Sequence, residues 1–254
     1  MCVVVVGWRV SAEYPLVVVA NRDEYFDRPT APAAFWEEEP GVLAGRDLEA
    51  GGTWLGITRT QRFAAVTNFR EPHHVIADAP SRGHLVADFL KARRRPDTYL
   101  RGIARQGKQY NGFNLLVADR DSLQYYSNRG EAPLVLPPGI YGLSNNLLDV
   151  PWPKLEAAKG FFVHALAALP DLEPCFQILA DDEIAADGQL PDTGVGLEWE
   201  RILSAIFVKA PNYGTRSSTV IAVRADNSVR FVERRFGPNG APAGGTDVAF
   251  MAKG

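Results

Sequence analysis

The stretch that decides the fold is Cys2-Val3-Val4-Val5-Val6-Gly7-Trp8, taken together with Leu16-Val17-Val18-Val19-Ala20. Four consecutive valines are typical of a buried strand, and the second apolar run is of the same kind. A polar stretch containing a proline separates the two runs, so we expect a β-hairpin that turns near Ala12. Reflection about Ala12 predicts that Cys2 lies opposite Arg22.

A polar tetrapeptide, Asn21-Arg22-Asp23-Glu24, follows directly on the second apolar run. The predicted pairing brings it to a cysteine at the start of the chain. A free α-amine titrates near ~7.7–8.0 and a thiol near ~8.5, so the amine of an N-terminal cysteine can take its own thiol proton around neutral pH. Attack on an amide or thioester carbonyl also needs donors for the developing oxyanion. Cys2 is therefore a candidate nucleophile, provided that Met1 is removed.

Bulk properties narrow the class of protein. The chain has 254 residues, a net charge of -3 and 46% hydrophobic residues, which predicts one large globular domain over 1–254. This charge gives no electrostatic reason to expect nucleic acid or an anionic membrane as a partner. Two cysteines make no disulfide framework, and no apolar run reaches membrane-spanning length. Without a signal-peptide pattern, we expect a cytoplasmic protein that does not span a membrane.

The order of predicted elements is strands, helices, strands, helices, strands, without the regular alternation of a parallel sheet. This order fits two antiparallel sheets with helices packed outside them. Residues 25–40 are expected to form a long loop, and residues 237–254 an irregular C-terminal tail rich in Gly, Ala and Pro. Helices are expected over 81–94, 97–107, 153–169, 172–179 and 197–207.

Several short sequence motifs, in this order, resemble those of one family. They are Met1-Cys2, Asn21-Arg22-Asp23-Glu24, Gly51-Gly52-Thr53-Trp54-Leu55-Gly56, Asn68-Phe69-Arg70 and Tyr213-Gly214-Thr215-Arg216-Ser217-Ser218. From Cys2 to about Phe236 the chain resembles the NRDE family, which includes the transport-and-Golgi-organisation proteins. The resemblance implies an α+β fold like that of the N-terminal-nucleophile (Ntn) hydrolases, a four-layer αββα sandwich of two antiparallel sheets flanked by helices.

The resemblance also implies a set of catalytic residues. Ntn hydrolases similar to choloylglycine hydrolase combine an N-terminal Cys with an Arg and an Asp after the second strand, a later Asn and a distant Arg. Carried over to this sequence, these are Cys2, Arg22, Asp23, Asn145 and Arg216. Either Asp23 or Glu24 could supply the acid. The expected substrate-binding residues are Asn21, Glu24, Trp54, Asn68 and Asn146.

Structural roles are open for the same residues. A cysteine beside a valine strand is commonly a small buried hydrophobic residue. Arg22 could fork onto a carboxylate in a strand-ending turn, and Arg216 could be a buried arginine that pairs with Asp23 or Glu24. Asn145-Asn146 could form a turn, because asparagine tolerates the left-handed conformation. Trp54 could simply be core or the wall of a pocket.

Two further functions compete with acyl chemistry on a small-molecule substrate. The family is linked to haem trafficking, and the adjacent His73-His74 could donate an axial ligand to haem in a non-enzymatic haem-binding protein. A degenerate Ntn fold could instead bind a lipid or acyl metabolite. The hydrolase interpretation requires no cofactor, and the sequence contains no G-x-S-x-G, P-loop, H-E-x-x-H or paired C-x-x-C motif. No metal site is therefore expected.

Overall fold

The computed structural model describes residues 2–253, and for Cys2 the backbone alone. In this part of the chain, thirteen strands form two antiparallel sheets. In spatial order, the first sheet consists of β10 (Gly139–Leu143), β1 (Cys2–Trp8), β2 (Leu16–Tyr25), β11 (Tyr213–Val223), β12 (Ser228–Phe236) and β13 (Pro242–Met251). The second consists of β3 (Thr30–Phe35), β4 (Val42–Asp47), β5 (Leu55–Thr58), β6 (Phe63–Asn68), β7 (Phe113–Ala118), β8 (Leu123–Ser127) and β9 (Leu134–Leu136).

Helices cover the outer faces of both sheets. They are α1 (Gly83–Lys91), α2 (Pro96–Gln106), α3 (Pro153–Ala168), α4 (Glu173–Leu179) and α5 (Leu197–Ile202). Helices α1 and α2 bury apolar side chains against the second sheet, and α3 and α4 against the first. None of the helices in residues 2–253 combines the length and the apolar character needed to cross a membrane.

The valine hairpin sets the layers, because successive side chains of a strand point to opposite faces. Val4 and Val18 pack between the two sheets, together with Phe63 of β6. Val5 and Val19 point the other way, into the core beneath α3 and α4. The predicted α+β sandwich of two antiparallel sheets with outer helices is thus confirmed.

The predicted register of the first hairpin is also confirmed. The backbone of Cys2 pairs with Arg22, and the ladder continues to Trp8 opposite Leu16. On its other side, β1 pairs with β10, with Val4 opposite Leu143. β1 therefore lies between two strands, and its first residue comes close to the polar segment that ends β2.

The prediction of an irregular tail over residues 237–254 is wrong. Residues 242–251 form β13, an edge strand that pairs with β12 along most of its length. Val248 and Phe250 pack against the core between the sheets, and this alternate burial stabilises the strand. Its glycines, alanines and proline carry too little apolar contrast for the alternation to be visible in the sequence.

The expected loop over residues 25–40 is also wrong in part, because Thr30–Phe35 forms the edge strand β3. The register of β3 against β4 shifts between Ala31 and Ala34, where Pro32 lies. Proline lacks a backbone N–H, so an edge strand with an irregularity is where a sheet accepts it.

Candidate active site

A row of directly opposed residues crosses four strands of the first sheet. Cys2 pairs with Arg22 on β2, Arg22 pairs with Ser217 on β11, and Ser217 pairs with Arg235 on β12. Directly opposed residues of antiparallel strands share one face of the sheet. The side chains of Arg22, Ser217 and Arg235 accordingly all line one cavity, on the face that looks towards the second sheet.

Arg22 is the central side chain of this row. It is 5% exposed, and its guanidinium carbon lies 4.3 Å from the centre of the Trp54 indole ring on the second sheet. Its other contacts are long: Nη1 donates to Thr30 Oγ1 at 3.4 Å, and Nη2 lies 3.9 Å from Glu24 Oε2. Short charge-assisted hydrogen bonds are nearer 2.7–2.9 Å, so this guanidinium keeps donor capacity for a ligand.

Asn21 and Asp23 lie on the opposite face of β2 from Arg22. The Asn21 amide donates to the carbonyl oxygens of Leu179 and Ile206 at 2.8 and 2.9 Å, and its own oxygen accepts from Ser218 Oγ. This asparagine fastens β2 to α4 and to the segment after α5. The structure therefore does not bring the side chains of Asn21 and Arg22 together.

Asp23 is a buried carboxylate beside the same strand end. It is 2% exposed, and Oδ1 accepts a hydrogen bond from Thr215 Oγ1 at 2.7 Å. Burial raises the pKa of Asp23 above its ordinary value, because desolvation disfavours the charged form. Asp23 also contributes to the wall of the main cleft, so a positive group placed there would meet a nearby carboxylate.

The main cleft lies between the ends of the two sheets and has a volume of about 320 Å³. Four predicted site residues line it besides Asp23: Arg22, Glu24, Trp54 and Asn68. Sequence reasoning missed Arg28, Asp47 and Arg82, which also line it. Arg28 Nε donates to Asp47 Oδ2 at 2.9 Å. The sequence does not predict this ion pair, because Arg28 lies in the turn between β2 and β3 and Asp47 is 19 positions later, at the end of β4.

Asn145 reaches the cleft through a neighbour. It is 1% exposed and donates from Nδ2 to the backbone oxygen of Asn68 at 2.9 Å. It stands two residues after Leu143, the partner of Val4, and therefore beside the edge at which β1 begins. Asn146 instead holds a turn, because its Oδ1 accepts from the N–H of Leu147.

Three further predicted residues lie away from this cleft. Arg216 donates to the backbone oxygens of Tyr25 and Arg28 at 2.7 and 2.8 Å, rather than pairing with Asp23 or Glu24 as the structural alternative had it. His73 and His74 are both exposed, in the segment that follows Arg70. Haem ligation by these histidines stays a prediction.

Comparison with known sequences gives a consistent result. The sequence profile described as Transport and Golgi organisation 2 matches residues 1–238. The Transport and Golgi organization protein 2 homolog of Bos taurus is 44% identical over 243 residues, covering 87% of this chain and 86% of its own. The Homo sapiens homolog is 41% identical over 243 residues, with the same coverage of 87% and 86%. The Drosophila melanogaster protein is 28% identical over 253 residues, again covering 87% and 86%.

Comparison with solved structures concerns the fold alone. The C2A mutant of the conjugated bile acid hydrolase from Clostridium perfringens has a TM-score of 0.51 at 9% identity, and the match covers 99% of this chain and 92% of that one. The Caenorhabditis elegans ortholog of N-acylethanolamine-hydrolyzing acid amidase has a TM-score of 0.48 at 10% identity, covering 87% and 92%. The first of these supports an Ntn-hydrolase-type arrangement of the two sheets.

Proposed function

This chain belongs to the Transport and Golgi organisation 2 family, and from that premise we propose that it is a hydrolase or acyltransferase whose Cys2 attacks an amide or thioester carbonyl. The observation that carries the proposal is the backbone pairing of Cys2 with Arg22, at the edge of a cleft of about 320 Å³. A cleft of this size is typical of a site for a small molecule. The fold likeness to a bile acid hydrolase is compatible with this chemistry.

The proposed reaction requires that Met1, which lies outside the described residues, has been removed. The free amine of Cys2 takes the thiol proton, and the thiolate attacks the carbonyl carbon. The carbonyl π electrons move to oxygen, and collapse of the tetrahedral adduct breaks the C–N or C–S bond. The leaving amine or thiol takes the proton held by the α-ammonium. Water, or a second acceptor, then attacks the acyl-cysteine and restores the thiol.

The neighbouring side chains suit the needs of this reaction. Asn145 and Asn68 carry amide groups beside the cleft edge, and we assign them as donors to the developing oxyanion. Arg22 keeps donor capacity and is assigned to the substrate. The buried Asp23 is assigned to the α-amine, because a cation beside it offsets the desolvation of its carboxylate.

Thiol labelling tests the proposed nucleophile, because the chain has only two cysteines. Cys175 lies on the buried face of α4, and burial raises its pKa to about 12, so it does not react in the folded protein. We expect iodoacetamide to modify one cysteine, Cys2, in the native protein and both cysteines in urea. The rate should rise with pH below ~8.5, the ordinary value of a thiol. Native protein that takes up no label would contradict an accessible nucleophile.

A model thioester then tests catalysis. Incubation with ethyl thioacetate should release ethanethiol and leave an acetyl group on Cys2, detected by intact mass and peptide mapping. Cys2→Ala should abolish both signals, whereas Cys175→Ala should preserve them. If Cys2→Ala releases thiol as fast as the unsubstituted chain, Cys2 is not the nucleophile. A Cys2 that is labelled but never acylated would favour the binding role predicted for a degenerate Ntn fold.

A further inference from the structure

A second cavity, of about 80 Å³, lies between the two sheets. Arg22 and Trp54 line both spaces, so their stacked side chains form a shared wall. The other charged or hydroxyl side chains of the second cavity are Thr30, Arg216, Ser217, Glu233 and Arg235. Three guanidinium groups thus face a single carboxylate among the described residues that line it.

A β-bulge lies at one of these arginines, and a second bulge lies opposite another. The register of β11 against β2 shifts between Thr215 and Ser217, so Arg216 is the extra residue. The register of β12 against β13 also shifts, between Arg234 and Phe236, but there the extra residue lies on β13, between Pro242 and Gly245. A bulge re-aims a side chain and is commonly found beside functional sites.

Ser217 lies at the middle of this arrangement. It pairs directly with Arg22 on one side and with Arg235 on the other. It is 4% exposed, and its Oγ has no hydrogen-bond partner among the described residues; the buried Nε of Arg235 has none either. A buried hydroxyl and a buried guanidinium N–H without partners are costly, and both point to a ligand that accepts hydrogen bonds.

The neighbouring groups leave the site positive. Glu233 Oε1 accepts a hydrogen bond from the backbone N–H of Ala33 at 3.0 Å. Burial raises the pKa of Glu233, which disfavours the ionised carboxylate that would neutralise the guanidinium groups. Nη1 of Arg216 already donates to two carbonyl oxygens, and carbonyls do not neutralise a guanidinium. An oxyanion would supply both the missing acceptors and the missing charge.

We propose that this cavity binds a small oxyanion, the carboxylate or phosphate of a ligand, with the Ser217 hydroxyl donating to it between the guanidinium groups of Arg22 and Arg235. The proposal stands on this cavity and does not require chemistry at Cys2. Ser217 is two strands from Cys2, or about 10 Å at ordinary strand spacing. If the proposed function also holds, the acyl substrate carries its anionic group at roughly that distance from the reacting carbonyl.

Isothermal titration with inorganic phosphate and with acetate, at fixed ionic strength, tests the site. We expect saturable binding of at least one anion, and the anion that binds identifies the chemical class. Ser217→Ala and Arg235→Gln should each weaken that binding about tenfold or more, because each removes a hydrogen bond to a charged group. Arg235→Lys keeps the charge and should weaken it less than Arg235→Gln.

Two controls separate this site from other effects. Arg234→Gln changes the adjacent residue, whose guanidinium pairs with Glu173 on the outer surface, and should leave anion binding unchanged. Cys2→Ala should also bind the anion normally, even if the proposed catalysis fails. Circular dichroism shows whether each variant is folded. The proposal is overturned if neither anion shows saturable binding. It is also overturned if folded Ser217→Ala and Arg235→Gln bind the anion as tightly as the unsubstituted protein does.

Discussion

The guanidinium carbon of Arg22 lies 4.3 Å from the centre of the Trp54 indole ring, so a side chain of the first sheet stacks on a side chain of the second. Such a cation–π contact contributes about 0.5–2 kcal/mol, with the larger value where water is excluded. This contact also fixes the plane of the guanidinium, and with it the direction of the remaining N–H donors. The stacked pair lines both the main cleft and the second cavity, and it therefore sets the direction of the Arg22 donors in both.

Gly45 provides a way to displace Trp54 without touching Arg22. A Cβ built on Gly45 would overlap the outer edge of the indole ring. We expect Gly45→Ala to lower the free energy of unfolding by about 1–3 kcal/mol through overpacking, and to alter tryptophan fluorescence. Gly41→Ala is the matched control, because nothing lies within 4 Å of a Cβ there. Urea unfolding curves of equal midpoint for the two variants would show that Trp54 is not confined as described.

A buried ion pair outside the main cleft makes a second prediction. Arg70 Nη1 donates to Glu200 Oε2 at 2.6 Å, with both side chains 4% exposed. Glu200 also accepts from the backbone and hydroxyl of Thr193, so one carboxylate joins three segments. Glu200→Gln removes the carboxylate that is hydrogen-bonded to the buried guanidinium of Arg70, and we expect a loss of about 3–5 kcal/mol in the free energy of unfolding.

The control for that prediction is the neighbouring exposed pair. Arg201 pairs with Asp187 on the surface, with both side chains about half exposed. Arg201→Gln should lower the free energy of unfolding far less than Glu200→Gln does, because exposed pairs are screened by solvent. Urea denaturation of both variants measures the difference. Equal losses would mean that the Arg70–Glu200 pair is hydrated rather than buried.

The hairpin and its partners explain how much the sequence could predict. The register of Cys2 against Arg22 followed from two apolar runs and one turn, because a hairpin is a local structure. The short sequence motifs correctly indicated the Transport and Golgi organisation 2 family and the two-sheet fold. The alternation of a strand could also have separated Arg22 from Asn21, since neighbours on a strand face opposite sides.

The bulges and the second cavity could not be predicted in the same way. A bulge adds one residue to a strand, and neither Arg216 on β11 nor the segment 242–245 of β13 carries a periodic mark of it in the sequence. Ser217 meets Arg22 and Arg235 only because β2, β11 and β12 are neighbours in the sheet, a long-range pairing. The short run of polar residues in β11 therefore does not indicate whether Ser217 is structural or binds a ligand.

Glu233 predicts a dependence of stability on pH. Burial raises its pKa above its ordinary value of 4.5, so the folded state binds this proton more tightly than the unfolded chain does. The favourable contribution is complete below pH 4.5 and is lost as the pH rises through the raised folded value. Glu233→Gln keeps an oxygen for the N–H of Ala33 and cannot ionise.

We therefore expect Glu233→Gln to gain stability relative to the unsubstituted protein as the pH rises above 4.5, measured by urea unfolding at a series of pH values. Glu131→Gln, at an exposed position, is the control and should show no such trend. A difference between Glu233→Gln and the unsubstituted protein that stays constant with pH would mean that Glu233 titrates alike in both states.

Asn21 and Asn68 provide the sharpest separation of structural from functional polarity, because sequence reasoning assigned both to substrate binding. Asn21→Ala removes donors from the carbonyl oxygens of Leu179 and Ile206 and an acceptor from Ser218. Unpartnered buried groups cost about 1–3 kcal/mol each, so we expect a loss of about 3 kcal/mol or more in the free energy of unfolding. Asn68→Ala removes a side chain that lines the cleft and leaves its backbone contacts in place. It should therefore change stability by less than about 1 kcal/mol while lowering thioester turnover. Urea unfolding and ethanethiol release are measured on both variants. An Asn21→Ala variant as stable as the unsubstituted protein would contradict the structural role of Asn21. An Asn68→Ala variant that loses about 3 kcal/mol or more would contradict the assignment of Asn68 to the substrate.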